Sequence, residues 1–279
     1  MKKFLSSLAI LATVFGMTTS IVMAKTFKDV KDTKYEEAVD ILSELKIIDG
    51  YEDNTYKPGN SVKRSELAKL IIVALGKDSG AELLKGSTDF SDVSAGHWAS
   101  GYINYASKLE IINGYPDGTF RPDATVSYVE ASAMLLRALN YGKELEGLSW
   151  PSGYMSKANS AGLLTNVTAN NSSDKAIRGN VASMILNTLK ANTRKVVSSN
   201  NTGNTYGDGG ILLEKSFSDL IYVESGIVKG IDVNKEELTI KDEENDREID
   251  VYYDDTASIK TMFGSEVAFI YNQKKEEFM

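Results

Sequence analysis

The sequence predicts an α+β protein, mainly α-helical repeats followed by a small β domain. Three observations carry that reading. The phrase GYEDNTYKP at 50–58 returns as GYPDGTFRP at 114–122. Both copies are flanked by apolar residues at helical spacing, the mark of amphipathic helices. Beyond a polar, glycine-rich stretch near residue 200, the chain changes to short strand-like runs separated by turns.

The chain opens Met1-Lys2-Lys3, runs apolar from Phe4 to Phe15 and reaches Ile21–Ala24. A cationic start, a short apolar stretch and small residues before a junction read as a secretory signal over 1–24, with Val22 and Ala24 at the −3 and −1 positions. The apolar run is short for a span of about 20 residues, and no later stretch is long enough, so the mature chain is expected without a transmembrane segment. The formal charge is −8, and losing Lys2 and Lys3 makes it more negative. An acidic chain argues against nucleic acid, whose phosphates need a basic footprint, and against general adhesion to anionic lipid. An anionic partner must be caught by local cationic pockets instead. There is no cysteine, and His97 is the single histidine. Disulfides, thiolate chemistry and most metal or triad sites are thereby excluded, and no cofactor is expected.

Aligning the chain on itself gives three units: 25–86, 87–144 and a frayed 145–192. The first opens FKDV (27–30) and continues into EEAVDILSELKII (36–48), where Ala38, Ile41, Leu42, Leu45 and Ile48 form one stripe. The second opens FSDV (90–93) and places Tyr102, Tyr105, Ala106 and Leu109 likewise. Gly50 and Gly114 follow, where a left-handed helix cap suits glycine. Pro116–Gly118 is turn chemistry, and Ser61 and Thr125 stand where a second helix needs a cap. Glu66 and Glu130 fall in its first turns, complementing the helix dipole. The third unit keeps two helices, with AIRGN (176–180) opening the second, but lacks the repeated phrase.

FSDV…HW…GYPDGTFRP…VSYVEA resembles the S-layer homology repeat, and three copies match the usual layout of that family. The resemblance covers roughly 25–192. It implies an exported protein anchored noncovalently to a secondary cell-wall polysaccharide of the peptidoglycan, often a pyruvylated one. Surface-layer proteins are further candidate partners.

Candidate binding residues follow. Arg64 and Arg178 open second helices, where an arginine fork plus free backbone N–H groups forms an anion trap. On spacing alone, each serves equally as a solvated arginine beside a carboxylate. The resemblance implies that this arginine meets the acidic sugar substituent. The second copy has Tyr128 there, so its pocket leans on stacking. Trp98 reads as a sugar platform or, equally, as a packed core residue. Gly50, Tyr51, Gly114 and Tyr115 of the repeated phrase complete the set, since absent side chains let a ligand approach. Phe120 and Tyr56 read as packing residues under the loop.

Residues 193–210 read as a linker, and 211–279 as a small β-module. Its strand-like runs are Ser225–Val233, Glu237–Lys241, Arg247–Tyr253 and Glu266–Tyr271, and its acidic run Asp242–Asp246 reads as a solvated hairpin tip. The leading expectation is a non-enzymatic wall anchor. The alternatives are a cell-envelope enzyme (a wall hydrolase or its accessory subunit) and a purely structural packing role.

Overall fold

The computed structural model describes residues 27–200, 203–218, 220–232, 237–242, 246–252, 266–272 and 277–278. The expected leader lies outside the described residues. The chain divides into two compact units, one ending at Ser216 and one running from Phe217 to the C-terminus.

The first unit contains α1 (Glu36–Glu44), α2 (Arg64–Ala74), α3 (Asp78–Leu83), α4 (Ser100–Lys108), α5 (Tyr128–Ala138), α6 (Ser152–Ser160) and α7 (Arg178–Lys190). Three of these, α2, α5 and α7, start from a closed ring of backbone hydrogen bonds. Val62 N–H donates to Ala176 C=O (3.0 Å), Ala176 N–H to Val126 C=O (2.8 Å), and Val126 N–H to Val62 C=O (2.9 Å). All three residues are buried, so each polar group must find a partner, and each finds it in another segment. The ring is flanked by the bridges Ser61–Ile177, Lys63–Thr125 and Ser127–Lys175. It sets the three helix starts side by side around one axis.

The first helix of each segment ends the same way. Lys46, Glu110 and Gly162 take positive φ (57°, 56° and 77°), and the following N–H reaches back into the helix: Ile47 to Leu42, Ile111 to Ala106 and Leu163 to Ala158. That is a Schellman ending. The expectation that Gly50 and Gly114 supply the left-handed cap is therefore corrected. These glycines are needed for a close approach instead. A Cβ on Gly50 would lie 1.8 Å from the Phe27 ring, and one on Gly114 would lie 2.5 Å from the Phe90 ring. Both rings wedge against the repeated loop. Gly50→Ala should therefore cost about 1–3 kcal/mol through overpacking, read as a lower urea midpoint. An unchanged midpoint would mean that Phe27 moves aside freely.

Residues 193–210 are not a linker. Residues 193–200 and 203–210 lie in a hairpin of β1 (Asn192–Asn200) and β2 (Gly203–Ile211) that follows α7 directly. Arg194 fastens it. Its N–H donates to Leu139 C=O (2.8 Å) and its guanidinium bonds Glu144 (2.7 Å) and Asp208 (2.9 Å). The short α8 (Leu212–Ser216) then turns Leu212 and Leu213 inward, 5% and 0% exposed. Leu212 closes the far end of the core against Ile71, Leu75, Leu135, Ala138, Ile185 and Leu189. The helical unit thus ends at Ser216, and the β-module starts later than residue 211.

The second unit is an antiparallel sheet in the order β5-β4-β3-β6-β7, from β3 (Leu220–Asp232), β4 (Glu237–Asp242), β5 (Arg247–Tyr252), β6 (Glu266–Asn272) and β7 (Glu277–Phe278). The four strand-like runs of the sequence correspond to β3–β6. Ile240 pairs with Val228 on one side and Ile249 on the other, and all three are buried. Asp242 lies two residues along the same strand. It is buried and held by Arg247 Nε at 2.7 Å. The acidic run is therefore not a uniformly solvated tip. Asp242 is an internal ion pair, while exposed Asp246 pairs with Lys241.

Candidate functional site: three joints around one axis

The repeated phrase builds a loop that one carboxylate holds in place. Asp29 accepts the N–H groups of Tyr56 and Lys57, both at 2.7 Å, and Asp92 accepts those of Phe120 (2.8 Å) and Arg121 (2.7 Å). The FKDV and FSDV aspartates therefore belong to the loops 27 and 28 residues downstream. Tyr56 and Phe120 are buried beneath, against Phe27 (5.9 Å) and Phe90 (5.4 Å). Burial pushes the Tyr56 phenol up to about 12. At the loop surface the Thr119 hydroxyl, then Arg121, hold the Asp117 carboxyl at about 2.

Each second helix begins on a loop of another segment. Arg64 and Ser65 N–H donate to Ala124 and Pro122 C=O (2.9 and 3.0 Å). Tyr128 and Val129 N–H donate to Asp174 and Ser172 (3.2 and 2.9 Å), and Arg178 and Gly179 N–H to Asn60 and Pro58 (2.7 and 2.9 Å). The first two N–H groups of these helices are thus occupied, which corrects the expected trap of free N–H groups. The side chains follow the backbone. Arg64 meets the second copy's Tyr115 rather than Tyr51, and Arg178 meets Tyr51 across the ring closure. The candidate sites lie between segments.

The three joints differ in charge. At the first, Arg64 is only 5% exposed. Its Nε donates to Phe120 C=O (2.9 Å), its Nη1 to Glu130 Oε1 (3.0 Å), and its guanidinium lies 4.8 Å from both the Tyr115 and Phe120 rings. The Tyr115 hydroxyl donates to the same carboxylate oxygen at 2.8 Å. The other oxygen accepts the Ser127 N–H and hydroxyl, both at 2.9 Å, in a full capping box. Burial alone would raise Glu130. The bonds from Ser127 and Tyr115, with the Arg64 charge, outweigh it and hold the carboxyl below its ordinary value. The neighbouring cations are also paired, Arg121 with Asp117 and Lys63 with Asp123.

At the second joint the pair is neutral. Tyr128 is 3% exposed, so it offers no stacking face to a ligand, contrary to expectation. Its hydroxyl accepts from Asn180 Nδ2 at 2.7 Å. At the third joint Arg178 is half-buried. Nε donates to Tyr56 C=O (3.0 Å) and Nη2 to Asp49 C=O (3.3 Å), with the Tyr56 and Tyr51 rings 4.5 and 5.4 Å from the guanidinium. Among the described residues it has no carboxylate at ion-pair distance. Tyr51 is exposed, and Lys57 Nζ sits 3.8 Å from its ring.

Trp98 is 51% exposed and stacks on His97, so the packed-core reading is excluded. Trp150, which the sequence reading passed over, is its counterpart. It is 54% exposed, with an edge contact to Tyr154 at 5.1 Å. The signal was a tryptophan two residues before the first helical serine, in WAS and WPS. Lys34 holds that position in the first segment and bonds Thr168 Oγ1 at 2.9 Å. Among the described residues, no helix is long and apolar enough to cross a membrane, and no cluster of three His, Asp or Glu could hold a metal.

Comparison with known proteins finds relatives that match part of the chain. The chain is 33% identical over 201 residues to the Middle cell wall protein of Brevibacillus brevis, covering 71% of this chain and 19% of that protein. It is 36% identical over 122 residues to the Cellulosome-anchoring protein of Acetivibrio thermocellus, covering 42% and 26%. It is 34% identical over 129 residues to the Amylopullulanase of Thermoanaerobacterium thermosulfurigenes, covering 46% and 7%. The chain thus spans between 7% and 26% of these curated relatives' length. The model of the S-layer homology domain matches residues 26–68 and 89–132, the two stretches that hold the repeated loops and the starts of α2 and α5. Residues 26–68 and 89–132 thus match the S-layer homology domain as two repeats.

Proposed function

We propose that this is a secreted cell-surface protein held noncovalently to the bacterial wall by its helical unit. In this reading residues 145–192 are a third, divergent copy, and the ligand is an acidic, pyruvylated secondary wall polysaccharide. The observation that carries it is the company the segment keeps. A wall protein, a cellulosome-anchoring protein and an amylopullulanase share it as 19%, 26% and 7% of their lengths. A segment common to such different proteins supplies location rather than reaction chemistry, so the chain acts without catalysis of its own. The ligand class is supported by Arg178, a guanidinium that has no carboxylate partner among the described residues and lies beside exposed Tyr51. Trp98 and Trp150 offer sugar-stacking faces, apolar rings with an N–H at one edge.

The test is sedimentation of residues 25–279 with purified wall sacculi, intact or stripped of secondary polymer. The chain should pellet with intact sacculi, not with stripped ones, and less so at high salt, because ion pairs reached by solvent are screened. Equal recovery with both would remove the polysaccharide from the reading. No recovery with either would remove wall anchoring.

A further inference from the structure

One link of the second repeated loop is left untied. Asn113–Gly114 is the only Asn-Gly pair in the sequence, and both residues are exposed. The chain is held on either side of it. Ile112 N–H donates to Ala106 C=O (3.4 Å), Tyr115 N–H donates to Thr119 C=O (2.7 Å), and Asp92 holds the loop at Phe120 and Arg121. Between these ties, neither the Asn113 side chain nor the Gly114 N–H has a hydrogen-bond partner among the described residues. Other exposed loop asparagines differ at the residue that follows. After Asn54, Asn140 and Asn166 come Thr55, Tyr141 and Val167, each with a side chain and with its N–H already bonded. The acceptors are Asp53 Oδ1 (3.1 Å), Leu136 C=O (3.0 Å) and Leu164 C=O (3.1 Å).

We propose that Asn113 is a self-modifying site, where the folded chain deamidates through the backbone nitrogen of Gly114. That nitrogen attacks Asn113 Cγ. The Cγ–Nδ2 bond breaks, and the proton lost from the Gly114 N–H leaves with the amide nitrogen as ammonia. Water then opens the cyclic imide at either carbonyl. One opening gives aspartate on an unaltered main chain, and the other routes the main chain through the side-chain carbonyl as isoaspartate. Either way water is consumed, ammonia is released, and a neutral amide becomes a carboxylate. Glycine favours the attack because no Cβ shields its nitrogen, and an N–H already bonded to a carbonyl would first have to break away. The aspartate product has a precedent in this fold, since Asp49 holds the aligned place before Gly50. The isoaspartate product has none. It adds one backbone carbon ahead of Gly114, which sits so close to Phe90 that a Cβ there would lie 2.5 Å from the ring. The aspartate branch therefore leaves the loop intact, and the isoaspartate branch loosens it.

The experiment ages residues 25–279 in neutral buffer, beside Asn113→Gln and a free peptide of residues 109–121. Peptide mapping should show residue 113 gaining about 1 Da, or about 3 Da when the water carries heavy oxygen. The peptides holding Asn54, Asn140 and Asn166 should stay unchanged. The folded chain should react within about tenfold of the free peptide's rate, because a wider gap would mean that the loop must open first. Isoaspartyl methyltransferase should label the aged wild type and leave aged Asn113→Gln unlabelled. No mass gain at residue 113, equal gains at the other three asparagines, or a rate far below the peptide's would each overturn the site. Melting tests the two branches. Fresh Asn113→Asp should melt as fresh wild type, and the aged, isoaspartate-bearing wild type should melt below both. A low-melting Asn113→Asp would show that this loop does not accept the carboxylate. Coincident melting of Asn113→Asp and the aged wild type would overturn the loosening by isoaspartate.

Discussion

Glu130→Ala is expected to lower the stability of the helical unit by about 3–5 kcal/mol, the usual cost of stranding one partner of a buried ion pair. The case rests on what remains after the change. Arg64 would stay buried at 5% exposure with its charge uncompensated, and Tyr115 and Ser127 would lose their acceptor. The carboxylate half of the α5 capping box would go as well, while Ser127 Oγ would still accept the backbone N–H of residue 130. Replacing both partners, as in Arg64→Met with Glu130→Gln, should recover part of the loss, because no buried charge then remains. The sign of the pH dependence follows from the depressed Glu130 carboxyl. Its contribution is fully present above the carboxyl's unfolded value and is lost as pH falls through the lower folded one. Wild type should therefore lose stability in acid, below about pH 4, where Glu130→Ala loses less. Urea titration of both proteins at neutral and acid pH reads this directly. Parallel pH profiles would show that Arg64 does not depend on Glu130.

What the sequence disclosed, and what it hid, divides along the range of the interactions. The helical stripes, apart from Leu109, which lies exposed past the end of α4, and the β-runs were legible because periodicity is local. The burial of Phe120 and Tyr56 was legible because a large aromatic inside a turn phrase has few other uses. The helix endings were not. Lys46 and Glu110 accept a left-handed backbone costing about 1–2 kcal/mol, while the glycines sit where two phenyl rings press on the chain. The hairpin was hidden by its serine, asparagine and glycine content. Its anchors are Glu144 and Leu139, about 50 residues away from Arg194. The joints were hidden for a deeper reason. Aligning copies shows which positions correspond, but not that each copy's helix closes on another copy's loop. That pairing exists only once the ring of Val62, Val126 and Ala176 has formed.

The same ring makes the helical unit indivisible, and truncation should show this with the largest effects of all. Residues 26–86 alone should give no cooperative melting transition. The partners of Val62, of the Arg64 and Ser65 N–H groups and of the Arg64 side chain lie at 120–130 and 176, outside that piece. The apolar residues Leu67, Ile71 and Ile72, each 0–1% exposed in the whole unit, would face water, and so short a chain buries too little to offset its conformational entropy. A piece ending at Ala191 should fold but melt well below residues 26–216. It keeps the ring but loses Leu212, Leu213 and Arg194, and each buried leucine removed costs about 2–5 kcal/mol when the space cannot collapse. Far-UV circular dichroism melts of the three pieces separate the cases. Equal midpoints for the pieces ending at Ala191 and Ser216 would make the hairpin and α8 bystanders, and a cooperative melt of 26–86 would mean that the ring is not what holds the helices together.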